Sequence, residues 1–320
     1  MDGVIVIDKP EGLTSHDVVV AARRLLGEKR IGHTGTLDPL ATGVLPLACG
    51  RATRLVRFLS AAEKEYEATV LFGVTTDTLD VTGEEISRSG RVPSRETLVA
   101  ALRSFEGEQL QVPPAYSAKK VAGRRAYELA RRDEPVALDP VRVRVSRIEL
   151  LEDGNDRCRI RLTCSAGFYV RALVRDLGER CDTGATLEAL RRTRSGDFTL
   201  DEAIDLDALG PVRDRTNPAP RQARGAPRLS RGESRVPNPG METALIPMER
   251  LLPGFPAVTV TAEGLTRVSH GQHVRPVDLT GDAPVEAAEW VRLLDSSGAL
   301  VGLGTPQRLS GFLHPEVVLI

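Results

Sequence analysis

A single aspartate stands in the run GHTGTLDPLATGVL, Gly32 to Leu45, among three glycines, three threonines and a histidine. Asp38 has no second acid and no cysteine close by, so neither a carboxylate dyad nor a metal cluster is written into this stretch. Pro39 biases Asp38 toward extended backbone and removes an amide donor. Gly32, Gly35 and Gly43 permit close backbone approach or positive φ, while Thr34, Thr36 and Thr42 supply hydroxyls. On residue types alone, an Asx or threonine turn is the first reading. The chemical alternative is a lone carboxylate acting as nucleophile or base. A phosphate loop is disfavoured, because no lysine follows the glycines and G-x-G-x-x-G is absent.

Three further segments mix groups that could complete such a site. In SAGFYVRALVRDLG (Ser165 to Gly178), Tyr169 and Arg171 are two apart, so on a strand end they share a face. An arginine beside a carboxylate holds it ionised. The plainer reading is an amphipathic strand-to-helix join with surface arginines. In EKEYEATVLFGVTTDTLD, Tyr66 sits just before a strand and is either a site residue or a half-buried strand tyrosine. In PPAYSAKKVAGRRAYELARR, Tyr116 accompanies Lys119, Lys120, Arg124 and Arg125. Nucleic acid favours such a surface, and a solvated helix face accounts for it equally simply. The histidines point to no metal: His270 and His273 (HGQH) lack cysteine or H-E-x-x-H context, and His16 and His314 carry no signal.

The chain has 320 residues, 41% hydrophobic and 27% charged, with a formal net charge of −1. That is globular composition, and length alone favours about two domains. Apolar runs are short, and MDGVIVIDKPEG lacks a basic n-region, so neither a transmembrane helix nor a signal peptide is expected. Cysteines 49, 158, 164 and 181 form no C-x-x-C pair and read as reduced, partly buried thiols, which points to the cytoplasm.

The elements that must position the candidate residues alternate in type. GVIVIDKP reads as a strand ended by proline, and Thr14 to Gly27 as a helix capped by Thr14 or Ser15. VLPLACG is extended, ATRLVRFLSAAEKEY (Ala52 to Tyr66) reads as helix, and YEATVLFG alternates like a strand. Ser94 caps an amphipathic helix over SRETLVAALRSFEG. VRVRVSRIELLE and RCRIRLTCSAG read as antiparallel strands joined through DGND, and VRALVRDLGERCD as helix. The fold class is α+β (mixed α/β) with a largely antiparallel sheet. From Pro211 to Gly240 there are six prolines, seven arginines, two acids and no aromatic residue, the composition of a flexible basic linker. Beyond it, PAVTVTAEGLTRVSHG reads as strand then helix, EWVRLLDSSGALVGLGTP as a hairpin turned at Ser296 to Gly298, and HPEVVLI as a last strand. The division is thus 1–210, linker 211–240, and a small β-rich unit 241–320.

Taken in order, DKPEGLTSHDVV, GHTGTLDPLATGVLPLACGRAT, KEYEATVLFGVTTDTLD, PPAYSAKKVAGRRAYELAR and GFYVRALVRDLG resemble the bacterial TruB-type tRNA pseudouridine synthases, over the whole chain apart from the linker. The G-H-T-G-x-L-D-P run is the most specific piece. The resemblance implies a pseudouridine-synthase catalytic domain and a PUA-like RNA-binding domain. It implies isomerisation of uridine to pseudouridine at position 55 in the T-arm loop of tRNA, without metal or cofactor. Asp38 matches the family's catalytic aspartate, Tyr66 the tyrosine stacked on the target base, and Arg171 the arginine paired with the carboxylate. Tyr169 and Leu190 match other active-site positions, His33 a histidine that fills the space left by the flipped base, and Lys9 a lysine that holds the first motif. The tRNA T-arm stem-loop is the implied partner, for a monomer with no obligate protein partner and no membrane. A non-catalytic tRNA-binding or tRNA-folding protein on the same scaffold is the rival, and Asp38, Tyr66 and Arg171 together argue against it. Two features depart from the family: the Pro/Arg segment is long and basic, and aromatics are few at 4%. Recognition then rests on RNA shape and backbone contacts.

Overall fold

The computed structural model describes residues 1–117, 119–121, 124–126, 132, 138–210, 244–280, 288–307 and 311–320; the linker read over 211–240 lies outside them, as do the side chains of Lys120, Arg124 and Arg125. The chain begins with β1 (Gly3–Lys9), α1 (Ser15–Leu26), β2 (Ile31–His33) and β3 (Thr42–Cys49). A 3₁₀ turn at Gly50–Leu55 runs into the short helix α2 (Val56–Ala61), then β4 (Lys64–Phe72), β5 (Val74–Thr76) and β6 (Glu85–Arg88). Helix α3 (Arg95–Arg103), β7 (Gly107–Gln111), the short β8 (Lys120–Val121) and β9 (Arg124–Arg125), β10 (Val141–Asp153) and β11 (Arg157–Cys164) follow. The first half closes with α4 (Val170–Arg180), β12 (Ala185–Ser195), β13 (Phe198–Thr199) and β14 (Ala203–Asp205). Beyond residue 243 come β15 (Leu245–Pro247), β16 (Ala257–Val260), α5 (Ala262–Ser269), β17 (Leu279–Thr280), β18 (Val291–Leu294), β19 (Leu300–Gln307) and β20 (Phe312–Val318).

Local chemistry accounts for the helix ends. Thr14 caps α1 in a reciprocal box with Asp17, and Gly27 ends the helix at φ 66°. Ser94 caps α3 through the Thr97 amide. The read helix over 52–66 is too long. Lys64, Tyr66, Ala68, Val70 and Phe72 alternate inward from Lys64 onward, so EKEY becomes strand because β11 and β12 pair along both of its edges.

One mixed sheet runs β14-β1-β3-β12-β4-β11-β10-β7, with β2 on β3, β13 on β12 and β15 on β1. All pairings along it are antiparallel except β1 with β14 and β3 with β12. The fold is α+β, as expected. Helices α1, α3 and α4 pack one face of the sheet in a core that includes Ile7, Val18, Leu45, Leu98, Ile160 and Leu173. The second sheet, β17-β16-β18-β19-β20, forms the β-rich C-terminal unit. It shares a core with the other side of β1 and β3: Val4, Val6, Val44 and Ala48 pack with Leu300, Leu303 and Leu319. Phe58 meets Trp290 edge-on at 4.7 Å across the same seam. Strand β12, at the centre of the large sheet, was not visible in the sequence, because EALRRTRS places arginine where apolar residues alternate elsewhere.

Candidate active site

The loop from His33 to Thr42 is held from every side by bonds to its backbone. Leu37 N–H donates to Ser15 Oγ at 2.8 Å, and that hydroxyl donates back to the Leu37 carbonyl at 3.2 Å. Gly12 N–H donates to the Pro39 carbonyl at 2.8 Å, and Ala41 N–H closes a turn onto the Asp38 carbonyl at 3.0 Å. Lys9 Nζ reaches the carbonyls of Pro10 at 2.8 Å and Pro39 at 3.4 Å. Gly43 is a position that requires glycine: at φ 99° a Cβ would lie 2.2 Å from the Arg192 carbonyl. The turn expected from residue types is therefore present, but it uses the backbone of Asp38 and leaves its carboxylate available.

That carboxylate meets Arg171. Arg171 Nε donates to Asp38 Oδ2 at 2.8 Å, Nη1 to the Thr78 carbonyl at 2.9 Å and Nη2 to the Tyr116 carbonyl at 2.9 Å. One planar guanidinium thus joins three segments that are remote in sequence. Arg171 is 5% exposed, so it is not the surface arginine of the plainer reading. Nor is it on a strand: Tyr169 is the N-cap of α4 and Arg171 lies in its first turn. The two still line one pocket, from the N-cap and the first turn of α4.

The pocket holds about 150 Å³ and is lined by Asp38, Tyr66, Tyr169, Arg171 and Leu190, with Thr36, Leu37, Ser117, Phe168 and Val170 between them. The chain folds five of the seven singled-out residues onto one cavity. His33 and Lys9 do not line it. His33 ends β2 with Nδ1 buried and unpartnered among the described residues, and burial holds its imidazole below the usual value. Lys9 is sealed under the loop at 0% exposure, and burial brings its amine down to about 8. Burial pushes the phenols of Tyr66 and Tyr169 up, and the Arg192 guanidinium opposes this at Tyr66.

Three contributors escaped the sequence reading. Asp80 is 5% exposed and lies 3.8 Å from Arg171 Nε. Its other oxygen accepts from Thr78 Oγ1 at 2.9 Å, Thr82 N at 3.0 Å and Thr82 Oγ1 at 2.5 Å. Gln111 locks the backbone of Tyr169, accepting from its N–H at 2.8 Å and donating to its carbonyl at 3.0 Å. Arg192 sits beneath the loop. Only TTDTLD, a cluster of three hydroxyls and two acids, offered a signal, and it reads equally well as a turn. The basic surface around Tyr116 is described in part: Tyr116 Oη donates to Asp77 Oδ2 at 3.3 Å, and Lys119 Nζ to the Asp139 carbonyl at 3.2 Å.

Known proteins share this fold over nearly the whole chain. A crystal structure of a Cbf5-Nop10-Gar1 complex superposes with a TM-score of 0.72 at 27% identity, covering 100% of this chain and 85% of that one. A box H/ACA ribonucleoprotein bound to a substrate RNA containing 2′-deoxyuridine superposes with a TM-score of 0.69 at 26% identity, covering 99% of this chain and 85% of that one. Residues 23–170 match the TruB family pseudouridylate synthase N-terminal domain, 171–252 the tRNA pseudouridylate synthase B C-terminal domain, and 256–319 the C-terminal domain of pseudouridine synthase II TruB. The fold and these family matches define an isomerase of the pseudouridine synthase class. The tRNA pseudouridine synthase B of Solibacter usitatus is 42% identical over 320 residues, all of both chains. That of Stutzerimonas stutzeri is 38% identical, covering 95% of this chain and 91% of its own. The chain belongs to the TruB family of pseudouridine synthases.

Proposed function

We propose that the chain converts uridine to pseudouridine at position 55 in the T-arm loop of tRNA, with Asp38 as the catalytic carboxylate. One observation carries this reading: a carboxylate fixed by a buried arginine at a small pocket that Tyr66 also lines. A flipped uracil stacks on Tyr66, with Leu190 and Tyr169 bounding it, and His33 takes the base's place in the RNA stack. The C1′–N1 bond breaks and C1′ rejoins the ring through C5, expelling the C5 hydrogen as a proton while N1 gains one. Nothing is oxidised and no group leaves, so the reaction requires no redox cofactor. Three roles are open to Asp38: nucleophile at C1′, nucleophile at C6, or base at C2′. Pairing with Arg171 fixes where the carboxylate sits and favours the roles in which charge and position matter.

The proposal also takes residues 1–210 as catalytic, 211–240 as a tether, and 241–320 as a PUA-like RNA-binding unit. It takes the chain as a monomer that needs no protein partner. We place it in the cytoplasm, where its substrate is found and where its four buried thiols stay reduced. No helix among the described residues is long and apolar enough to cross a membrane.

The test is release of tritium from tRNA labelled at uracil C5. Wild type is expected to release it from a tRNA with an intact T arm. Asp38→Asn is expected to release none while still binding that tRNA, which also separates the enzyme from a tRNA-binding protein on the same scaffold. An inactive wild type would sink the proposal.

A further inference from the structure

Arg192 is the largest fully buried side chain among the described residues, at 1% exposure. Its neighbour Arg191 points outward to Asp8, at 2.7 Å, and to Thr42. Arg192 turns inward, and no acid among the described residues pairs with it. Its fork is spent on carbonyls instead: Nε on Val44 at 2.7 Å, Nη2 on Gly35 at 3.1 Å and Nη1 on Thr36 at 3.4 Å. Those carbonyls flank Asp38 on both sides. In the sheet register Arg192 stands directly across from Tyr66, so the two side chains share a face, and the guanidinium acts on the Tyr66 phenol.

A buried cation without a carboxylate is costly, and an apolar residue of similar volume is often as stable. The cost is understandable if only a planar three-way donor fixes the required geometry. We propose that Arg192 is a positioning residue for the isomerisation: it fixes the Asp38 loop and the Tyr66 ring relative to one another. Asp38 is thereby held from two directions, its carboxylate by Arg171 and its backbone loop by Arg192. Arg192 lines no part of the pocket and acts only through those two residues. This inference rests on the proposed reaction.

The test compares Arg192→Met, Arg192→Lys and Gly35→Ala on a T-arm stem-loop RNA tritiated at uracil C5. Single-turnover release, RNA affinity and folded fraction are measured for each. A methyl at Gly35 would meet Arg192 Nη1 at 3.4 Å and Lys64 Cε at 3.8 Å, ordinary contact distances, so Gly35→Ala changes the loop beside the guanidinium while leaving the fork in place. The rate per folded molecule is expected to fall about 100-fold in Arg192→Met and to stay within about threefold of wild type in Gly35→Ala, with affinity within about threefold of wild type in both. Arg192→Lys, which keeps the charge and loses the fork, is expected between wild type and Arg192→Met. If Arg192→Met does not fold, Arg192→Lys decides. Arg192 variants with rates within about threefold of wild type would overturn the proposal, as would an affinity loss equal to the rate loss. An inactive wild type would instead defeat the proposed function, and this inference with it.

Discussion

Arg171 donates to Asp38 at 2.8 Å across 133 residues of sequence, from a side chain that is 6% exposed to one that is 38% exposed. The arginine is fixed in the protein and the carboxylate faces the pocket. Among the described residues Asp38 Oδ1 accepts no hydrogen bond, so one oxygen is anchored and the other is not. The guanidinium also holds the Thr78 and Tyr116 carbonyls, so it organises the pocket wall as well as the acid.

Arg171→Met removes all three bonds and leaves their acceptors without a donor. It is expected to destabilise the chain by about 2–3 kcal/mol, less than a fully buried pair because Asp38 reaches solvent. Urea unfolding measures that loss. Tritium release under fully folded conditions is expected to drop by about 100-fold or more. A folded, fully active Arg171→Met would show that the pair does not orient Asp38.

Asp80 lies behind the same arginine, satisfied by Thr78 and Thr82 and 3.8 Å from Nε. Asp80→Asn keeps the shape and removes the charge. A stability loss of about 1–2 kcal/mol is expected, from weakened charge-assisted hydrogen bonds. The rate is expected to fall between wild type and Arg171→Met, because Arg171 keeps its other partners. An Asp80→Asn enzyme slower than Arg171→Met would place Asp80 in the chemistry itself.

Tyr66 presents a ring to the pocket and a phenol to Arg192. The two parts separate by substitution. Tyr66→Leu removes the stacking surface and is expected to weaken RNA affinity by about 1–3 kcal/mol. Tyr66→Phe keeps the ring and is expected to bind normally, while its rate falls by about 10²-fold if the hydroxyl moves a proton. Equal rates for Tyr66→Phe and wild type would confine the residue to stacking.

Burial brings Lys9 down to about 8 from an ordinary 10.5, opposed by the nearby Asp38 charge. Below about pH 8 the amine is protonated in both folded and unfolded chains, and its contribution does not vary. Between about 8 and 10.5 the folded chain has released the proton and the unfolded chain still holds it. The unfolded state then binds more protons, so stability rises with pH. The difference in unfolding free energy between wild type and Lys9→Met is expected to grow over that window and to be flat below it. The difference is the proper readout, because Lys64 carries the same shift and the buried thiols titrate in the opposite sense. A difference that falls as pH rises would contradict the burial of the charged amine.

Local elements and the chemical inventory follow from residues close together in the chain. Thr14, Gly27 and Ser94 mark helix ends through bonds made within a few residues, and β10 and β11 alternate because one face of each is solvated. The order of the motifs disclosed the family, and with it Asp38, Tyr66 and Arg171 as candidates. Tertiary structure decided everything that depends on partners distant in the chain. EKEY became strand because two neighbours needed its edges. Strand β12 was hidden because its inward residue is an arginine whose ligands are carbonyls of another segment. Asp38 differs from an ordinary turn aspartate through Arg171, and Asp80, Gln111 and Arg192 matter for the same reason. Their roles come from hydrogen bonds that close only when the sheet is assembled, and no spacing along the chain encodes such a contact.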